Sequence, residues 1–218
     1  MNCLQNMESM KRLGNSEQYN LSEKYTIYKT TYNKEYSKND FLNRIKQNEL
    51  LYHGKTIEYP NSLETHIECR EFESVDNQAI TFLRNKLSQD ISKYVRSSWI
   101  YVQVPDFKME WMHTHDWVES SNRTTLKTQW TIVFYIQIPS NLKDGDGDLI
   151  FKTEDGVLHS FTPKENDILF FPGDLPHMPI PTIGSESNRI VYTTNLNYDF
   201  SYLRETNKRI QFSEYISN

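Results

Sequence analysis

From Trp99 to Asn197 the apolar positions come in short runs: "SWIYVQVP", "FKMEWMHTH", "TQWTIVFYIQIP", "DLIFKT", "VLHSFTP", "DILFFP" and "NRIVYTTNLNY". Each run is rich in β-branched and aromatic residues and ends at Pro, Gly, Asn or Asp, which is the signature of a strand closed by a turn. About seven or eight such strands in roughly 100 residues predict a sandwich or barrel. "EKYTIYKTTY" reads as a further strand near the start of the chain. Two stretches carry a helical repeat instead. In "SKNDFLNRIKQNELL" a Ser/Asn/Asp cluster suited to an N-cap precedes Phe41, Ile45 and Leu50; in "SVDNQAITFLRNKLSQDISKYVRSS" Ile80, Leu83, Leu87, Ile91 and Tyr94 recur at three- and four-residue intervals. The polar residues 1–22 read as a disordered or extended tail, and residues 23–218 as one domain whose β core spans about 99–197. The stretch "DFSYLRETNKRIQFSEYISN" fits a helix and an edge strand equally well.

Composition narrows this picture. Aromatic residues make up 13% of the 218, with 14 Tyr and 11 Phe, which suits sheets better than helical bundles. The net charge of −5 argues against a generic nucleic-acid surface. Cys3 and Cys69 have neither zinc-ligand spacing nor disulfide-scaffold numbers, and no apolar run approaches bilayer length, so a cytoplasmic protein without a membrane segment is expected.

The candidate chemistry sits in "WMHTHDW". Residues i and i+2 of a strand share a face, so His113 and His115 would project together while Thr114 points away. Without a third partner such a pair reads as packed or solvated. His177, in "DILFFPGDLPHMPIP", supplies the third imidazole, and three imidazoles on one side of an ion leave open positions for catalysis. Arg189 opens the apolar strand "RIVYTTNL", where Arg189, Val191 and Thr193 share a face. A buried guanidinium needs an anion, and its fork matches a carboxylate; on its own, though, Arg189 also reads as an ordinary strand-start ion pair. His53, His66 and His159 lack such company and read as surface or hydrogen-bonded residues.

Strand-His-x-His, "QWTIVFYIQIP", "DGDGDLIF", "ILFFPGDLPH" and "NRIVYTTNL" together resemble the double-stranded β-helix (jelly-roll, cupin-like) core of the 2-oxoglutarate- and iron(II)-dependent oxygenases, prolyl-hydroxylase-like branch, over about residues 99–197. That resemblance implies a mainly β (α+β) fold with N-terminal packing helices. It also implies Fe(II), 2-oxoglutarate and O2 as cofactor and cosubstrates, with hydroxylation of a substrate accompanied by succinate and CO2. In it His113 matches the first metal ligand, His177 the distal one, Arg189 the carboxylate anchor, and Tyr135 and Thr193 its hydroxyl partners. The family carries a carboxylate where this chain has His115. Either three imidazoles bind the metal, which strand geometry favours, or Asp116 swings in at a bulge, or iron chemistry has been lost.

A cupin-type metal site using His113, His115, Glu119 and His177 is the nearest rival, but it leaves Arg189 without a role. A non-catalytic jelly-roll binding or structural protein is the third reading. "DGDGDL" fits a hairpin turn better than a calcium loop, because position six is Leu149. Trp111 and Trp117 are expected to turn away from the metal and pack, and "DWVESSNRTTLK" is a candidate lid. A peptidyl proline, an amino acid, a nucleotide and a small metabolite all suit such a core as substrate, and the oligomeric state stays open.

Overall fold

The computed structural model describes residues 10–39, 42–43, 57–59, 62–66, 72–87, 94–106, 111–115, 117–119 and 125–199. Cys3, His53, Cys69, Asp116, most of the helix expected near residues 37–51 and the stretch after Asp199 lie outside them. The described chain is mainly β, with two sheets and one long helix, as expected of a double-stranded β-helix.

The larger sheet is built around β8 (Thr125–Gln137) and β13 (Arg189–Asp199). β13 is flanked on its other side by β6 (Tyr94–Gln103), followed by β5 (Ser62–His66) and β4 (Ile57–Tyr59). Beyond β8 come β11 (Asp167–Pro172), β3 (Thr26–Thr31) and β2 (Gln18–Asn20), while the short β7 (Trp117–Glu119) pairs with the start of β8. The smaller sheet runs β1 (Lys11–Arg12), β10 (Leu158–Phe161), β9 (Leu149–Lys152), β12 (His177–Pro179). Only the β1/β10 pair is parallel among these strands.

The apolar runs of the large sheet are continuous because both of its faces are covered. Ile132, Phe134, Ile136, Ile168, Phe170, Ile190 and Tyr192 face one core, which α1 (Glu73–Leu87) closes with Val75, Ala79 and Leu83. Val133, Tyr135, Leu169, Phe171 and Val191 face the opposite way, against Leu149, Phe151 and Phe161 of the small sheet. This second core is the barrel interior. Helix α1 has Glu73 and Asp76 in its first turn and Arg84 and Lys86 in its last, which complements the helix dipole.

Several expectations change. The helical repeat predicts a helix through Tyr94; the described helix is Glu73–Leu87, and Tyr94 begins β6, whose pairing with β13 overrides local periodicity. Lys11–Arg12 and Gln18–Asn20 are paired strands, and Tyr19 and Leu21 are buried, so the described part of the first 22 residues is held in the sheets. "DGDGDL" makes no hairpin: β8 and β9 lie in different sheets, and the turn, with Gly145 and Gly147 at φ of 87° and 76°, crosses between them. Part of the proposed lid is the β7/β8 ladder, Trp117 opposite Lys127.

Candidate metal centre and anion pocket

His113 and His115 do not sit on a continuous strand. His113 forms an isolated antiparallel bridge with His177, each N–H donating to the other's carbonyl at 3.0 Å. His115 N–H instead donates to Gly173 O at 2.7 Å, just past the end of β11. His177 is placed by β12, where it pairs with Phe151 of β9. The one-residue spacing therefore brings two imidazoles to a single place through two separate anchors, one on each sheet.

The ligand atoms of His113, His115 and His177 lie within 4.8 Å of one another, and they form the sole cluster of three or more potential metal ligands among the described residues. Ring centroids are 4.3 to 5.1 Å apart. His177 Nδ1–H donates to Leu175 O at 2.9 Å, which leaves Nε2 with its lone pair, 3.2 Å from His115 Nε2. His113 Nδ1 is buried with no hydrogen-bond partner among the described residues. Burial lowers the proton affinity of His113, and lowers that of His177 well below the usual range, with the neighbouring imidazoles adding to the effect. Three clustered imidazole nitrogens, with a backbone carbonyl fixing the His177 tautomer, fit a divalent transition metal.

Arg189 is 3% exposed and turned into the barrel, where its Nη1 donates to Gly147 O at 2.8 Å. Continuous register with β6 places Arg189 opposite Gln103, Val191 opposite Tyr101 and Thr193 opposite Trp99, all on the interior face. On the β8 side Val191 meets Tyr135 and Thr193 meets Val133, across a bulge between Ile190 and Val191. Tyr135 is buried, and burial raises its phenol pKa far above the ordinary value, against the opposing Arg189 charge, so it remains a hydrogen-bond donor. Trp99 joins the two halves of the site, its ring 5.4 Å from that of His115.

The six residues singled out from sequence thus fall into one interior: the imidazole cluster at one level, Thr193 beside it, then Tyr135, then Arg189. Trp111 differs from expectation. It is 67% exposed instead of packed. His159 is buried at 4% exposure, on the interior face of β10 opposite Phe151, so it is not a surface residue, and its Nε2 has no hydrogen-bond partner among the described residues. Glu119, the cupin candidate, belongs to β7. Sequence reading passed over Trp99, Tyr101 and Gln103, although the alternation in "WIYVQ" already placed them on one face.

No family model and no curated protein sequence matches the chain. Solved structures do. A viral collagen prolyl hydroxylase of Paramecium bursaria Chlorella virus-1, in complex with 2-oxoglutarate, superposes at a TM-score of 0.54 with 18% identity, over 79% of this chain and 96% of that one. A Trichoplax adhaerens prolyl hydroxylase bound to a hypoxia-inducible-factor degradation-domain peptide gives 0.56 at 13% identity, over 85% and 87%. HygX of Streptomyces hygroscopicus, with nickel, 2-oxoglutarate and hygromycin B, gives 0.56 at 10% identity, over 80% and 83%. The chain therefore has the jelly-roll fold of the 2-oxoglutarate- and iron(II)-dependent oxygenases, including the prolyl hydroxylases.

Proposed function

We propose that the protein is an iron(II)- and 2-oxoglutarate-dependent dioxygenase that hydroxylates a C–H bond of its substrate while forming succinate and CO2. One observation carries this reading: a cluster of three imidazoles and a buried, partly unsatisfied guanidinium line the same barrel interior. The jelly-roll likeness to proteins solved with 2-oxoglutarate supports it.

His113, His115 and His177 would hold the metal, which supplies oxygen activation and a template for the 2-oxo acid. The chain's own part is positioning. Arg189 binds the carboxylate remote from the metal through its guanidinium, and Tyr135, kept protonated by burial, donates its O–H to the same group. Thr193, one step nearer the imidazoles on the same face, orients the acid with its hydroxyl. Phe151 and Phe171, whose rings pack around His177, keep bulk water from the reacting end. The substrate enters by the Trp111–His115 segment, whose Trp111 and Thr114 are exposed.

Anaerobic titration with Fe(II) and then 2-oxoglutarate tests the assignment. A visible metal-to-ligand band is expected, lost in His177→Ala and requiring at least tenfold more 2-oxoglutarate in Arg189→Ala. Succinate should then form under air. A protein that binds iron yet gives neither band nor succinate would favour the cupin or non-catalytic jelly-roll reading.

A further inference from the structure

Gln103 stands directly opposite Arg189 at the end of the β6/β13 ladder. Facing residues on paired strands share a face, with Cβ atoms about 4.5–5.5 Å apart. Gln103 is 0% exposed, and among the described residues neither its Oε1 nor its Nε2 has a hydrogen-bond partner, and Arg189 Nε has none either. Asp148, the buried acid nearest in charge effect, accepts from Ser160 Oγ and makes no hydrogen bond to Arg189 among the described residues. Two neighbours therefore present N–H donors to one interior space without bonding each other. Buried polar groups are rarely left so. A glutamine placed there for packing alone would be better replaced by an apolar residue of the same volume.

The donors match a carboxylate: Arg189 Nε–H and Gln103 Nε2–H can each donate to one of its oxygens. Gln103 also lies at the remote end of the face, beyond Tyr101 and Trp99, and it is Trp99 whose ring approaches His115. We propose that Gln103 is a specificity-determining residue that seats, with Arg189, the carboxylate farthest from the metal, so that the site selects a dicarboxylic over a monocarboxylic 2-oxo acid. This rests on the oxygenase reading.

Calorimetric titration of the Co(II)-loaded protein under nitrogen tests it, with 2-oxoglutarate and with pyruvate as the monocarboxylic probe. In Gln103→Met, which conserves volume, and in Gln103→Leu, the 2-oxoglutarate Kd should weaken about ten- to hundredfold. The pyruvate Kd and the Co(II) affinity should stay within about twofold, and the metal-free variants should melt no lower than the parent. Equal 2-oxoglutarate affinity in parent and variants would overturn the inference and leave the oxygenase reading standing. Equal losses for both acids together with a lowered melting temperature would show a structural role and overturn it too. A parent protein that binds Co(II) but no 2-oxoglutarate sinks the oxygenase reading itself.

Discussion

Gly173 shows how tightly the imidazole cluster is held at the scale of one residue. A Cβ built on it would lie 2.6 Å from Thr128 O, a backbone atom that cannot rotate away, and 2.7 Å from Thr128 Cγ2. The close approach lets Gly173 N–H donate to Gln129 O at 3.2 Å while Gly173 O receives His115 N–H at 2.7 Å. Gly173→Ala should cost about 1–3 kcal/mol of stability, the usual penalty of overpacking, and should displace His115. Urea unfolding and Zn(II) titration check both, with metal affinity expected to fall at least about tenfold. Unchanged metal affinity would mean that His115 does not depend on this contact. The three histidines and Arg189 stood out in sequence because a close imidazole pair, a third imidazole after a strand and a cation opening an apolar strand are local signals, although the pair is held by two separate backbone anchors and not by one strand face. Gly173 and Gln103 did not, because their roles arise only from which residue stands across from them on another strand.

At the scale of elements, α1 is fastened to the large sheet by a buried carboxylate. Asp76 accepts hydrogen bonds from Tyr192 O–H and Thr194 Oγ1 at 3.0 Å and from Arg96 Nη1 at 3.2 Å, joining the helix to β13 and β6. Burial pushes its pKa above the ordinary 3.8, although these donors pull it down. Between 3.8 and the raised value the folded state holds a proton that the unfolded chain has released, so this group's contribution to stability falls as pH rises through that window. Asp76→Asn should remove that slope from the difference between parent and variant in urea unfolding from pH 3.5 to 7. Asp76→Ala should cost about 1–3 kcal/mol at neutral pH by removing the acceptor shared by Tyr192, Thr194 and Arg96, of which Thr194 Oγ1 keeps Ser98 Oγ at 3.0 Å. A parent-minus-variant curve flat in pH would show that Asp76 titrates normally. The same helix shows where sequence reading stopped. Its apolar face was evident from Ile80 to Leu87, but the boundary with β6 was misplaced because strand pairing, not helical spacing, decides the fate of Tyr94. The seven strand runs after Trp99 fared better, since β-branched runs bounded by turns carry their own signal; the exception was "FKMEWMHTH", whose described end contributes one bridge.

For the whole molecule, the site is a fastening between the two sheets. His177 belongs to the small sheet through β9, His115 is tied to the end of β11 in the large sheet, and Arg189 and Thr193 stand on β13, which pairs with both β8 and β6. Outside these groups the sheets share mainly the apolar contacts of the interior core. A metal that draws three imidazoles together, and an acid that spans from them to Arg189, should therefore stabilise the fold as a unit. At a ligand concentration about a hundred times Kd the gain is ~2.7 kcal/mol. At ~2–4 °C per kcal/mol for a chain of this size, that is a rise in melting temperature of roughly 5–10 °C. The rise should come in two steps, one on adding Co(II) and one on adding 2-oxoglutarate, and chelation should reverse both. Arg189→Ala should keep the first step and lose most of the second, because the guanidinium is not one of the clustered ligands that would hold the metal; losing both together would mean that Arg189 supports the imidazole cluster itself rather than the acid.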